Sequence, residues 1–235
     1  LASGTKTLTA LTVLALVADG TLRLDDAARR HLGADLPSID DGVTIEQLLA
    51  HRSGIGDYFD ESAVDGPESF QLPVPVQRLA TTEDYLAVLD GHPMVSPPGE
   101  RFAYNNGGYV VLSLVAERAA GRPFPELVAD HVAGPARMVD TAFLRSDSLP
   151  ERTATGYLDG DPWRTNVFVL PLRGAGDGGV YSTVADVHAL WRAVLGGVLL
   201  PDELTQAMTT AHSVSASGRY GYGWGVWLPV GTDCL

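Results

Sequence analysis

Lysine is almost absent from this sequence. Fifteen of its sixteen basic residues are arginine, and the exception is Lys6. Cysteine is as scarce: Cys234 stands alone, which excludes an intrachain disulfide and any CxxC metal site and leaves the redox compartment open. Long hydrophobic runs are missing. The most apolar stretch, residues 11–18, is far short of the roughly 20 residues that a membrane-spanning helix needs. Positive charge is in deficit, with a net charge of −13, which argues against a nucleic-acid or anionic-membrane partner. Repeats and low-complexity tracts are absent.

What is present suits a folded domain. Apolar residues make up 45% and charged residues 19%, enough to build a core and too apolar for disorder. The length fits a single domain, 1–235. The chain opens without Met and with a serine of interest already at position 3. It therefore reads as a piece trimmed at both ends, and its localisation stays open.

Periodicity predicts a mostly helical chain. A buried helix runs from Ser3 to Ala18 and stops at Asp19-Gly20. A second, N-capped by Thr44, precedes Gly54. Further helices are expected over "TTEDYLAVLDG", from Asn106 to Ala119, over "PFPELVADHVAGPARM", after a cap at Ser182 or Thr183, and over "DELTQAM". Residues 57–77 form an acidic, proline-containing loop, either solvated or a lid over a site. "YGYGWGVWLPV" reads as a strand.

The lone lysine lies three residues after Ser3. Residues i and i+3 share a helix face. A serine hydroxyl attacks poorly unless a base takes its proton. Arginine stays protonated, whereas an amine can give its proton up. The free N–H groups of a helix start can also stabilise an oxyanion. SxxK alone recurs by chance; a unique lysine ahead of an apolar helix makes it more specific. Tyr104 and Asn106 form a YxN pattern at a turn before a helix. A tyrosine beside an ammonium can relay protons, and an asparagine amide can contact a substrate amide.

Other patterns carry less. "GAGDGG" matches GxGxxG at Gly174, Gly176 and Gly179, but Pro171 separates it from the preceding apolar run. The following helix starts too late, and no strand–helix alternation surrounds it, so a dinucleotide site is rejected. The six histidines show no HExxH spacing, and no GxSxG elbow exists. His51 is expected to hold the loop after its helix through hydrogen bonds.

The stretches "ASGTKTLTAL", "LVADGTLRLDD", "VTIEQLLAHRSGI", "PPGERFAYNNGGYVVLSLVAE", "AGDGGVYSTVADVHAL" and "YGYGWGVW" together resemble the serine β-lactamase and penicillin-binding-protein superfamily. The similarity is to the branch of class C β-lactamases, D-Ala-D-Ala carboxypeptidases and family VIII esterases. The blocks come in that superfamily's order along nearly the whole chain. The resemblance implies an α/β fold of β-lactamase/transpeptidase type: a helical subdomain on an antiparallel sheet, with the active site between them. It implies a serine hydrolase acting through an acyl-enzyme on an amide, a β-lactam or an ester. Ser3 would be the nucleophile, Lys6 and Tyr104 would share base and relay work, Asn106 would contact substrate, and "GAGDGG" would line the pocket's edge. The implied partner is a small-molecule or peptide substrate; no metal or cofactor is implied. One element departs from the pattern. The superfamily's third motif, KTG or HxG, is missing: Lys6 is the only lysine, and His31-Leu32-Gly33 lies too early. Either strands at both ends are lacking from this piece, or the protein is an enzyme that has lost that element; the second functional reading is a penicillin-recognising relative that binds or senses without turnover.

Overall fold

A computed structural model of the chain describes residues 1–59, 72–158, 165–214 and 220–229. Among them the α-helical segments are α1 (Thr5–Ala18), α2 (Arg29–Leu32), α3 (Ile45–Leu49), α4 (Leu86–Leu89), α5 (Asn106–Ala120), α6 (Phe124–Val128), α7 (Gly134–Ala136), α8 (Val184–Leu195) and α9 (Asp202–Met208). Three short strands, β1 (Ser213–Val214), β2 (Tyr220–Tyr222) and β3 (Trp227–Pro229), form one antiparallel sheet in the order β1-β2-β3. Val214 lies opposite Gly221, and Tyr222 opposite Trp227. The fold is mostly helical with a small antiparallel sheet, as the sequence predicts.

Helix α1 is the axis of the molecule. Its side chains are buried without interruption from Thr5 to Leu14, so it has no polar face, as expected of a helix packed on all sides. Leu8, Leu11 and Leu14 enter a core shared with Tyr109, Leu112 and Val115 of α5 and with Phe124 and Leu127 of α6. Burial of each leucine contributes about 1.5–3 kcal/mol. Buried hydroxyls need partners, and the threonines of α1 find them. Thr12 Oγ1 donates back to the Leu8 carbonyl at 2.9 Å, Thr9 Oγ1 to the Gly176 carbonyl at 2.6 Å and Thr7 Oγ1 to the Gly225 carbonyl at 2.7 Å, while Thr5 Oγ1 accepts from the Val180 N–H at 3.2 Å. Three of these bonds fasten to α1 the loops that wall the site.

The caps follow the local chemistry. Thr44 and Gln47 close a capping box at α3. Asn105 caps α5 by accepting from the Gly108 N–H at 2.6 Å, and Gly121 ends that helix in the left-handed conformation. Thr183, rather than Ser182, caps α8. "PFPELVADHVAGPARM" does not form one regular helix, because a π-helical segment, Ala129–Ala133, joins α6 to α7.

Two expectations are corrected. Ser3 is not inside the long helix; it sits in a 3₁₀ turn, Ala2–Gly4, immediately before α1. The aromatic and glycine stretch from Tyr220 is a hairpin, not one strand. Its chain reverses between β2 and β3, with Gly225 at φ +68 and the Gly223 N–H donating to the Val226 carbonyl at 3.0 Å. Residues 60–71 of the acidic loop and Cys234 lie outside the described residues. Among the described residues no helix is long and apolar enough to cross a membrane, and no group of three or more His, Cys, Asp or Glu could hold a metal ion.

The hairpin turn presses on α1. A Cβ added at Gly225 would sit 2.5 Å from the Lys6 carbonyl oxygen. Gly225→Ala is therefore expected to lower stability by more than about 2 kcal/mol, combining left-handed strain with a backbone clash. Gly91→Ala is the control: it shares the positive φ but has nothing within 4 Å, so it should cost only about 1 kcal/mol. Urea denaturation of the two variants checks the difference.

Candidate active site

The site forms where the start of α1 meets the turn before α5 and the β2–β3 hairpin. Ser3 is exposed at its mouth, and Lys6 lies one turn deeper at 3% exposure. The 3₁₀ turn does not disturb the i, i+3 relation, because such residues eclipse one another there. Lys6 Nζ donates to Ser3 Oγ at 3.1 Å, and Tyr104 Oη donates to the same oxygen at 2.8 Å. Lys6 Nζ also donates to Asn106 Oδ1 at 2.8 Å and to the Asp177 carbonyl at 2.7 Å. Among the described residues Nζ thus has three acceptors, matching the three donors of an ammonium. It also lies 5.1 Å from the ring centre of Tyr104 and 5.7 Å from that of Tyr109, within cation–π range. All four residues singled out from the sequence come together here.

Tyr104 is held from below by His51. The His51 carbonyl accepts from the Ala103 N–H at 2.8 Å and its Nδ1 accepts from the Asn105 N–H at 3.1 Å, so the two bonds flank Tyr104. The imidazole stacks on the Tyr104 ring at 4.6 Å. The segment that His51 secures is therefore remote in sequence, not only the loop after its own helix. Burial, helped by the Lys6 charge, pushes His51 down to about 3, so the ring is neutral with Nδ1 as acceptor.

That value makes a prediction for acid stability. The folded state refuses a proton that the unfolded chain accepts below about pH 6.5. The stabilisation is complete above that pH and is lost as pH falls toward about 3, by up to ~1.4 kcal/mol per pH unit from this one group. His51→Asn keeps a residue tolerant of the left-handed backbone, φ 53 here, but cannot titrate. Denaturation between about pH 7 and pH 4 should give a shallower loss of stability for the variant.

The loop after α3 supplies residues that the sequence did not reveal. Asp57 accepts from the Asn106 N–H at 2.8 Å and the Gly107 N–H at 2.9 Å, closing the first turn of α5. Tyr58 Oη donates to Asp177 Oδ2 at 2.6 Å. Burial raises both Tyr58 and the Asp177 carboxyl above their ordinary values. The only hint in the sequence is an acidic loop near a histidine.

The "GAGDGG" stretch carries the Asp177 carbonyl to Lys6. Its glycines permit close backbone approach: a Cβ at Gly176 would lie 2.2 Å from the Tyr109 carbonyl oxygen. On the opposite side, Tyr222 stacks on Phe102 at 4.0 Å, and Trp227, 58% exposed, packs edge-on against Tyr222 at 4.4 Å. Tyr104 and Asn106 also border a cleft of about 650 Å³ with Ile55, Asp57, His92, Val95 and Arg101 on its walls, a volume sufficient for a small-molecule ligand.

The chain is similar to known proteins in sequence and in fold. Residues 1–232 match the family model described as Beta-lactamase. The chain is 31% identical over 264 residues to "Esterase EstB" of Burkholderia gladioli, covering 96% of this chain and 64% of the esterase. It therefore spans just under two thirds of that relative's length. The solved penicillin binding protein from Bacillus halodurans superposes with a TM-score of 0.91 at 39% identity, over 99% of this chain and 70% of that one. A D-stereospecific amidohydrolase from Streptomyces sp. superposes with a TM-score of 0.80 at 29% identity, over 97% of this chain and 69% of that one. A family match from end to end, on a fold shared with hydrolases, establishes that the chain belongs to the beta-lactamase family.

Proposed function

We propose that the protein is a serine hydrolase that works through an acyl-enzyme, with residues 1–235 as part of a single domain that extends beyond both ends of this piece. The observation that carries this reading is the pair of hydrogen bonds converging on Ser3 Oγ, from Lys6 Nζ at 3.1 Å and Tyr104 Oη at 2.8 Å. With the Lys6–Tyr104 pair carrying one proton fewer than an ammonium beside a neutral phenol, Ser3 Oγ attacks the acyl carbon while its proton passes to the pair. The bond to the leaving group breaks, and the pair returns the proton to the departing nitrogen or oxygen. Water then cleaves the acyl–Ser3 ester by the same route in reverse. No side chain caps the start of α1, so the positive end of the helix faces the charge that develops at Ser3. Asn106 has two tasks in this reading: Oδ1 holds Lys6, and the amide group touches substrate.

The substrate is an amide, a β-lactam or an ester, which are the classes handled by the relatives. A fluorophosphonate and a penicillin, each incubated with the full-length protein and followed by peptide mass spectrometry, test the proposal. The expected adduct is on the peptide containing Ser3. An adduct elsewhere, or none with either reagent, overturns it. A penicillin adduct that persists without release would support a penicillin-binding protein that does not turn over.

A further inference from the structure

Two adjacent residues, Asp57 and Tyr58, reach the lysine by separate routes. Asp57 takes the backbone N–H groups of Asn106 and Gly107 at 2.8 and 2.9 Å, and Asn106 Oδ1 is one acceptor of the Lys6 amine. Tyr58 Oη donates to the carboxyl of Asp177 at 2.6 Å, and the carbonyl of Asp177 is another acceptor of the same amine. Asp177 is half-buried, and a carboxyl withdrawn from water needs a partner to hold one orientation. Among the described residues, neither Asp57 nor Tyr58 hydrogen-bonds to Ser3 or to Lys6 itself, so each acts through a second residue.

We propose that Asp57 and Tyr58 are positioning residues for the Lys6 amine, Asp57 through Asn106 and Tyr58 through Asp177. The amine is held by a triangle of acceptors, and this dipeptide sets two of its corners. Ser3 Oγ, the third corner, is the atom that must move toward substrate. A lysine fixed at the other two keeps its place while the serine oxygen changes partner during acylation. The inference rests on the proposed serine-hydrolase reading.

The test uses the full-length protein and separates two quantities: the rate constant of fluorophosphonate labelling and the final fraction of Ser3 labelled. Wild-type labelling at Ser3 must be seen first; its absence refutes the hydrolase reading before any variant is compared. Tyr58→Phe removes one hydroxyl and should slow labelling about 10-fold while the final fraction labelled stays near wild type, since small displacements of a catalytic group are costly. Asp177→Asn retains an oxygen to accept from Tyr58 and should label within about threefold of wild type. Asp57→Ala releases the other corner and should slow labelling about as much as Tyr58→Phe, and the double variant should be slower than either, though not by the full product because both routes end on the same amine. A wild-type rate in Tyr58→Phe overturns the proposal. So does a reduced labelled fraction at an unchanged rate, which is the signature of misfolding, or an Asp177→Asn variant as slow as Tyr58→Phe. A double variant no slower than either single variant overturns the two-route arrangement.

Discussion

Ser3→Ala in the full-length protein is expected to abolish both covalent labelling and hydrolysis. Among the described residues the Lys6 amine and the Tyr104 phenol converge on this one hydroxyl, and alanine leaves nothing there to acylate. Loss of the nucleophile in a serine protease costs about 10⁶-fold in turnover, with a small remainder from binding and oxyanion stabilisation. A comparable loss is expected here. Folding should barely change, because Ser3 is exposed in a short turn and water at the mouth of the site can replace its oxygen as an acceptor of the Lys6 amine. Equal circular dichroism and melting temperature, with labelling at background, would meet the expectation. Labelling that survives the substitution would place the nucleophile elsewhere.

Lys6→Arg is expected to slow acylation by about 10²- to 10⁴-fold, the usual contribution of general acid–base catalysis. Arginine keeps the charge but cannot surrender its proton at working pH. From the sequence alone this change should alter folding stability little, since the charge and much of the stem are kept. The structure revises that. Lys6 is 3% exposed, and its compact ammonium is surrounded by acceptors on Ser3, Asn106 and Asp177. A planar guanidinium is larger and cannot aim at all three, so a stability loss of about 1–3 kcal/mol is also expected. The acylation rate must therefore be divided by the fraction of folded protein, measured by denaturation in the same buffer. A corrected rate near wild type would leave Lys6 with a purely structural role.

Much of the site could be read from the sequence because its signals are local. The rarity of lysine, its spacing from Ser3 and the order of six short blocks were enough to bring Ser3, Lys6, Tyr104 and Asn106 forward. The long helices were equally legible, since α1 and α5 are apolar runs bounded by Asp19-Gly20 and by Asn105 and Gly121. Asp57 and Tyr58 could not be read this way. An aspartate in an acidic loop looks solvated until the distant start of α5 is brought against it. The hairpin was misread for a related reason. Alternating aromatics and glycines suit an extended strand, and only the turn at Gly225, seated on α1, decides where the chain reverses. His51 was seen, but its partner segment lies 54 residues away, beyond any local pattern.

The bonds around Ser3 and Lys6 also set an order in time. They join residues 100, 101 and 171 positions apart, and the hairpin that closes over them comes later still. Pairings of such separation close large loops, so they form late and slowly relative to local helices. During synthesis the serine and the lysine precede the residues that surround them. Until those residues emerge, Ser3 has no partner of the site beyond the neighbouring lysine. On the proposed reading, reactivity requires Tyr104, Asn106 and the Asp177 carbonyl to have docked, so the nucleophile would switch on as a late event of folding itself.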